Sequence, residues 1–278
     1  MADNEKRIAL LIDADNAPAS KIDEVLAEVA RHGVANVRRA YGNWKSTNLK
    51  NWEQVLHEYA IRPVQQFAYS KGKNASDMAM VVDAMDLLYA GKLDAFAIVS
   101  SDADFTPLVM RLLTEGLKVY GFGERKTPSP FVNACSQFTY VEALGEQALP
   151  SPPERAEGGK RAVSTGEVPA GDPKQPASSL QPRPGPELRG DTKLVNLLRG
   201  AVEATADDHG WATLAAVGKQ IANRASFDPR NHGYRKLSDL VSAIGLFEER
   251  RQDLIVFVRD KRHPEAKSRV PGEGRGAQ

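Results

Sequence analysis

One cysteine, Cys135, stands in 278 residues, so the chain forms no intrachain disulfide and holds no cysteine-rich zinc site. A reducing compartment fits that. Long hydrophobic runs are missing too: the opening MADNEKRIALLIDADNAP has five apolar residues from Ile8 to Ile12 before Asp13, and no other run is longer. Five is too few for a signal-peptide core and far too few for a bilayer, which predicts a cytoplasmic protein without a membrane segment. Neither sign of charge dominates. With 37 Lys+Arg against 36 Asp+Glu the formal net charge is +1, which argues against a uniformly basic nucleic-acid coat and leaves room for a local patch. What is present is 41% apolar residues, enough for a sizeable core in one or two domains.

Short apolar runs alternate with amphipathic segments: RIALLI, then residues 17–31; NVRRAY, then 49–59; RPVQQFA, then 77–89; DAFAIV, then 105–113; and LKVYGFG. This pattern predicts an α/β domain over residues 1–144, with parallel strands covered on both faces and joined by right-handed crossovers. Residues 145–190 change character. Nine of the seventeen prolines fall there and no aromatic does, which predicts a disordered Pro-rich linker. A small unit over 191–263 follows. Leu194, Leu197, Leu198, Ala201 and Val202 share helical spacing, as do Leu214, Val217 and Ile221, then Leu237, Leu240, Val241 and Ile244. The run LFEERRQDLIVFV adds two β-like pieces around a polar turn, so the unit reads as a small winged helix-turn-helix α+β domain. Residues 264–278 read as a disordered tail.

The acids sit where such a fold concentrates chemistry. Asp13 follows the first strand in IDADNAP, with Asp15 and Asn16 behind it; Asp102 and Asp104 follow the fourth in DAFAIVSSDADF. All C-termini of a parallel sheet lie on one edge, and ligands bind there where strand order reverses. A third contributor is Asp77, at the entry of an apolar helix before the fourth strand. Asp83 and Asp86 lie about 120° and 180° around that helix from it and stay outside the group. Gathered carboxylates repel one another unless a cation neutralises them. Mg²⁺ or Mn²⁺ suits hard oxygen ligands, and either would activate water against a phosphodiester. Each acid alone also reads as a helix cap: Ser100, Ser101, Asp102 and Asp104 precede a helix, Asp13 and Asp15 precede Pro18, and Asp77 is a plausible first-turn acid. Co-occurrence favours the metal reading, and one residue can be both cap and ligand.

RIALLIDADNAP, GKNASDMAMVVDAM and FAIVSSDADFTPLVMRLLTEGLKVYGFG together resemble the NYN domain, a relative of the PIN nucleases and of LabA-like proteins, over Arg7 to Val141. The resemblance implies a PIN-like, Rossmann-like sheet and a Mg²⁺- or Mn²⁺-dependent ribonuclease in which Asp13, Asp77, Asp102 and Asp104 are catalytic metal ligands and Asn16 is accessory. None of those acids is replaced by a neutral residue. Residues 194–258, with HGYRKLSDLVSAIGLFEERRQDLIVFV, look like the OST-HTH or LOTUS domain, a winged-helix module associated with NYN domains and implicated in RNA binding.

Basic and aromatic residues mark where RNA would lie. In the second unit Arg224, Arg230, His232, Arg235 and Lys236 cluster around the start of the third helix, Arg250 and Arg251 lie in the wing, and Tyr234 suits stacking on an unpaired base. In the first, Trp44 and Lys45 with Lys50, and Lys71 with Lys73, lie in loops or helix starts toward the acid edge. The plainer reading is that lysines and arginines are solvated and the aromatics pack, which suits Trp52 best. A protein partner for the second unit stays open. His32 and His57 lack a partner acid at ligand spacing, and Cys135 lacks a histidine companion and reads as a small buried residue.

The leading expectation is an endoribonuclease acting on single-stranded or loop RNA. Haloacid-dehalogenase-like phosphatases also place Asp-x-Asp after the first strand, and Asp13 with Asp15 match that pair. Asn16-Ala17 depart from that family's pattern just past the second acid, and Asp102 and Asp104 are too closely spaced for its late acidic motif. The non-enzyme alternative is an RNA- or protein-binding regulator with a vestigial metal site.

Overall fold

The computed structural model describes residues 5–66, 75–145 and 182–264. In the first unit β1 (Arg7–Asp13) is followed by α1 (Ile22–Ala30), β2 (Val34–Gly42), α2 (Trp52–Glu58), β3 (Arg62–Gln65), α3 (Ala75–Tyr89), β4 (Ala95–Val99), α4 (Thr106–Thr114), β5 (Lys118–Gly123), α5 (Ser129–Ala134) and β6 (Gln137–Tyr140). The sheet is parallel throughout, in the order β3-β2-β1-β4-β5-β6. The α/β parallel-sheet expectation therefore holds, and strand order reverses between β1 and β4.

Successive strand residues face opposite sides of a sheet, and both sides are covered. Ile8, Leu10 and Ile12 of β1 pack with Ile22, Val25 and Val29 of α1 and Trp52 and Leu56 of α2. Ala9 and Leu11 face the other way, with Met80 and Ala84 of α3, Leu108 and Leu112 of α4, and Phe131 beside Cys135. This is why β1 and β4 read as unbroken apolar runs. One expectation changes. The helix carrying Asp77 is not buried all round, since Met78 is 64% and Val82 56% exposed; only its Met80 and Ala84 stripe reaches the core. Asp83, set apart from the acid group by helical geometry, accepts hydrogen bonds from Arg39 and the Tyr41 hydroxyl under the sheet.

The second unit comprises α6 (Gly185–Gly190), α7 (Thr192–Thr205), β7 (Ala212–Thr213), α8 (Leu214–Arg224), α9 (Leu237–Ile244), β8 (Phe247–Gln252) and β9 (Ile255–Asp260), with an antiparallel sheet ordered β7-β9-β8. Its core joins Leu194, Leu198, Val217, Ile221, Leu240, Ile244 and Val258. This is the winged helix-turn-helix expected, with α8 and α9 flanking the turn at 229–232 and the β8–β9 hairpin as the wing. Its start needs correction. Residues 182–190 belong to the module, because Leu188 is fully buried in its core and the prolines around it punctuate α6, with Pro184 extended before the helix and a proline in its first turn. The remainder of the expected linker and tail, 146–181 and 265–278, lies outside the described residues.

Candidate functional site

At the switch point, α1 leaves β1 toward one face and α4 leaves β4 toward the other, so the C-terminal ends of these neighbouring strands open a crevice. Asp13 closes β1 at 1% exposure. Its Oδ2 accepts hydrogen bonds from the Ser100 hydroxyl at 2.7 Å and from Asn16 Nδ2 at 3.0 Å. Its Oδ1 is buried and, among the described residues, has no partner. Burial raises the Asp13 carboxyl above its ordinary value; the hydrogen bonds from Ser100 and Asn16 oppose that, and nearby Asp15 adds to it.

Ser100, itself fully buried, ties the two strand ends together, since its hydroxyl also accepts from the Asp102 amide at 3.0 Å. Asp102 in turn accepts from the Asp104 amide at 2.8 Å and caps the turn leading into α4. The loop lies hard against β5: a Cβ on Gly123 would come within 2.5 Å of the Ser100 carbonyl oxygen, so glycine is required for close approach. From the other side Ser76 in the first turn of α3 donates to Asp15 Oδ2 at 3.0 Å, which brings the start of that helix to the same crevice. Asp77 follows. Its carboxyl is pushed up to about 6, first by burial and then by the charges of Asp13, Asp102, Asp15 and Asp104. Four acids from two strand ends thus act on one from a helix start.

Among the described residues, no three of these acids form a ready metal cage. Mg²⁺ keeps several waters and is commonly held by one or two carboxylates, so an uncommitted buried oxygen on Asp13 inside a mutually repelling acid group fits such an ion. Two members of the group lie outside the expected ligand set. Ser100 reads in the sequence only as a cap, although a serine directly after an all-apolar strand is placed to bond its neighbour's terminal residue; Asp15 stands in the same IDADN motif as Asp13.

The expected RNA contacts divide. Trp44 is half-buried, its indole N–H donating to the Val64 carbonyl at 3.0 Å and its ring packing on the α1 and α2 core. Lys45 is exposed beside it. Lys71 and Lys73 lie outside the described residues. Arg235 and Lys236 are exposed on the second unit and line a cleft shared with Asp23, Glu24 and Ala27 of α1. Arg230 and Tyr234 depart from expectation. Arg230 is locked between Glu28 and Asp228, and the Tyr234 hydroxyl donates to the Arg183 carbonyl at 2.7 Å with its ring against the module's core. Cys135 is buried, its thiol pushed up to about 12 by burial, as a small core residue should be.

An all-parallel doubly wound sheet with acids at its switch point makes the first unit a PIN-like α/β domain, and the second is a winged helix-turn-helix. More particularly, residues 7–142 are an NYN domain and residues 189–255 an OST-HTH/LOTUS domain. NYN domains are typically nucleases of a group that generally uses divalent metals, and OST-HTH/LOTUS domains are modules implicated in RNA binding. The chain is 31% identical over 150 residues to an uncharacterized protein of Methanocaldococcus jannaschii, a match covering 51% of this chain and 57% of that one. A crystal structure of a Vibrio parahaemolyticus protein of unknown function matches at a TM-score of 0.42 and 19% identity, over 51% of this chain and 96% of that one. Among the described residues no helix is long and apolar enough to cross a membrane.

Proposed function

We propose that this protein is a Mg²⁺- or Mn²⁺-dependent endoribonuclease that cuts single-stranded or loop RNA, with the OST-HTH/LOTUS module retaining the substrate. The observation that carries the reading is the buried Oδ1 of Asp13, without a partner among the described residues, in a crevice where burial and then the neighbouring acids push the Asp77 carboxyl up to about 6. Such a group favours an added positive charge. Asp13, Asp77, Asp102 and Asp104 would hold the ion, directly or through water. When bound there, a divalent ion activates water and offsets the charge that builds on a phosphodiester.

The chain's own groups set the rest. Ser100 and Asn16 hold Asp13 Oδ2, which leaves Oδ1 as its uncommitted oxygen. Ser100's hydroxyl is occupied by Asp13 and the Asp102 amide and Cys135 is sealed in the core, so neither supports a covalent route, and water is the nucleophile. Exposed Lys45 beside Trp44, and Arg235 with Lys236 on the module, suit backbone contacts to a single strand.

The test is cleavage of an end-labelled single-stranded RNA with Mn²⁺, Mg²⁺ or EDTA, beside Asp13→Asn and Asp102→Asn. Metal-dependent cutting by the wild type alone is expected; undiminished cutting by both variants would sink the reading. A second reading, an RNA-binding regulator without turnover, is favoured by the lack of a ready three-acid cage among the described residues. RNA retention with no cleavage under any metal would select it.

A further inference from the structure

The sequence puts Arg230 on RNA, and the structure gives it another partner. Its guanidinium makes a two-pronged contact with Glu28 of α1, Nη1 to Oε2 at 2.6 Å and Nη2 to Oε1 at 2.7 Å, across 202 residues of sequence. The same side chain bonds Asp228 within its own module. Asp228, only 3% exposed, also reaches across, accepting from Thr139 Oγ1 at 2.9 Å and Gln137 Nε2 at 3.1 Å on β6.

Asn231 completes the set. β6 is the last strand of the sheet, and an open edge presents unpaired N–H and C=O groups. The Asn231 amide satisfies two of them as a neighbouring strand would: its Nδ2 donates to the Phe138 carbonyl at 2.8 Å and its Oδ1 accepts from the Tyr140 N–H at 3.0 Å. The turn carrying these residues is held by Asp228, which accepts from the Arg230 amide, and ends at Gly233 in the left-handed region with φ 83°. On the receiving side Glu28 is also met by Arg31 at 3.3 Å and His32 at 3.4 Å, and the His32 ring stacks on Tyr120 at 4.1 Å. Glu28 and Thr139, 5% and 2% exposed, are buried polar groups that each take a partner from the other module. Buried charges persist where they are paired and hydrogen-bonded.

We infer that Asp228, Arg230 and Asn231 form a latch that docks the OST-HTH/LOTUS module onto β6 and α1 of the NYN domain of the same chain, in solution and without RNA. The two modules then move as one body. The loop at 228–231 is a protein-docking surface, RNA contact is left to the exposed side chains of the module such as Arg235, Lys236, Arg250 and Arg251, and the β6 edge is closed to other strands. This holds whether or not the protein cuts RNA.

The Tyr140 amide reads the latch directly, because its acceptor comes from the other module. Amide exchange on the full chain, free of RNA, should show it protected in the wild type and exchanging at least tenfold faster in Arg230→Glu and in Asn231→Ala. Protection in the core strand β4 should stay the same in all three, which separates undocking from unfolding. Tyr140 exchange equally fast in wild type and variants would overturn the latch. Protection that appears only with rising protein concentration, together with a dimer by light scattering, would also overturn it, since the docking would then be between copies.

Discussion

Two buried carboxylates in one domain have opposite fates. Asp13, 1% exposed at the crevice, is raised above its ordinary value; Glu28, 5% exposed on α1, is driven well below its own. Burial pushes both upward. At Glu28 the hydrogen bonds from His32 and Arg230 and the charges of Arg230 and Arg31 outweigh it, while at Asp13 there are one hydroxyl, one amide and the adverse charge of Asp15. The difference is a cation supplied by the chain. Glu28 is a structural carboxylate because its counter-charge is covalently part of the protein, whereas Asp13 has no such counter-charge among the described residues, as the proposed ligand role requires.

That contrast breaks most sharply at Asp13. Asp13→Asn should remove RNA cleavage by roughly 10³-fold or more, the rate equivalent of several kcal/mol of charge stabilisation, while leaving the metal-free melting temperature unchanged or raised, since a disfavoured buried charge is gone. Glu28→Ala should do the reverse to stability. Removing one partner of a buried ion pair costs about 3–5 kcal/mol, so thermal melting should fall clearly while the RNA-cutting chemistry stays intact. If Asp13→Asn melts far below the wild type, Asp13 is a structural group like Glu28 and the distinction collapses.

Metal and positioning effects are smaller. Mn²⁺ at a hundredfold excess over its dissociation constant should stabilise the protein by about 2.7 kcal/mol, seen as a rise in melting temperature that Asp13→Asn abolishes and Glu28→Ala retains. Ser100→Ala should lower cleavage by roughly 10- to 100-fold, the usual range for a group that orients a ligand. The readout that separates orientation from loss of fold is the Mn²⁺ concentration needed for half-maximal cleavage, which should rise in Ser100→Ala, with partial recovery in Ser100→Thr.

Local signals carried much of this. Five strands and the principal helices of the first unit followed from apolar period, and the crevice followed from acids placed just after the first and fourth strands. Elsewhere a tertiary partner decided. β6 is four residues, Gln137–Tyr140, with only Phe138 and Thr139 buried, too short for a periodic signal, and its free edge is completed by Asn231 from 91 residues away. Arg230 reads as an RNA contact because a basic loop before a recognition-type helix is solvated by default; nothing local reveals Glu28. The Pro-rich stretch reads as linker up to residue 190, yet Leu188 has a core to enter. Composition measures what a segment can bury alone, not what it finds on contact.

The smallest effect tests the latch by acid. A carboxyl whose folded-state value lies below its ordinary 4.5 adds stability that is complete above that ordinary value and is lost as pH falls below it toward the depressed one. Between pH 8 and 5, therefore, Glu28 should contribute no change in the Tyr140 protection factor, and below about 4.5 the protection should decline as the undocked form takes up the proton that the docked Glu28 resists. The groups facing Glu28 are Arg230, Arg31 and His32, all nitrogen donors, and Asp228 shares the same guanidinium. Glu28→Gln removes the titration and keeps the shape, so its protection should start lower and decline less steeply in acid. Slopes that coincide in the two proteins would make Glu28 a hydrogen-bond acceptor whose charge is immaterial to docking.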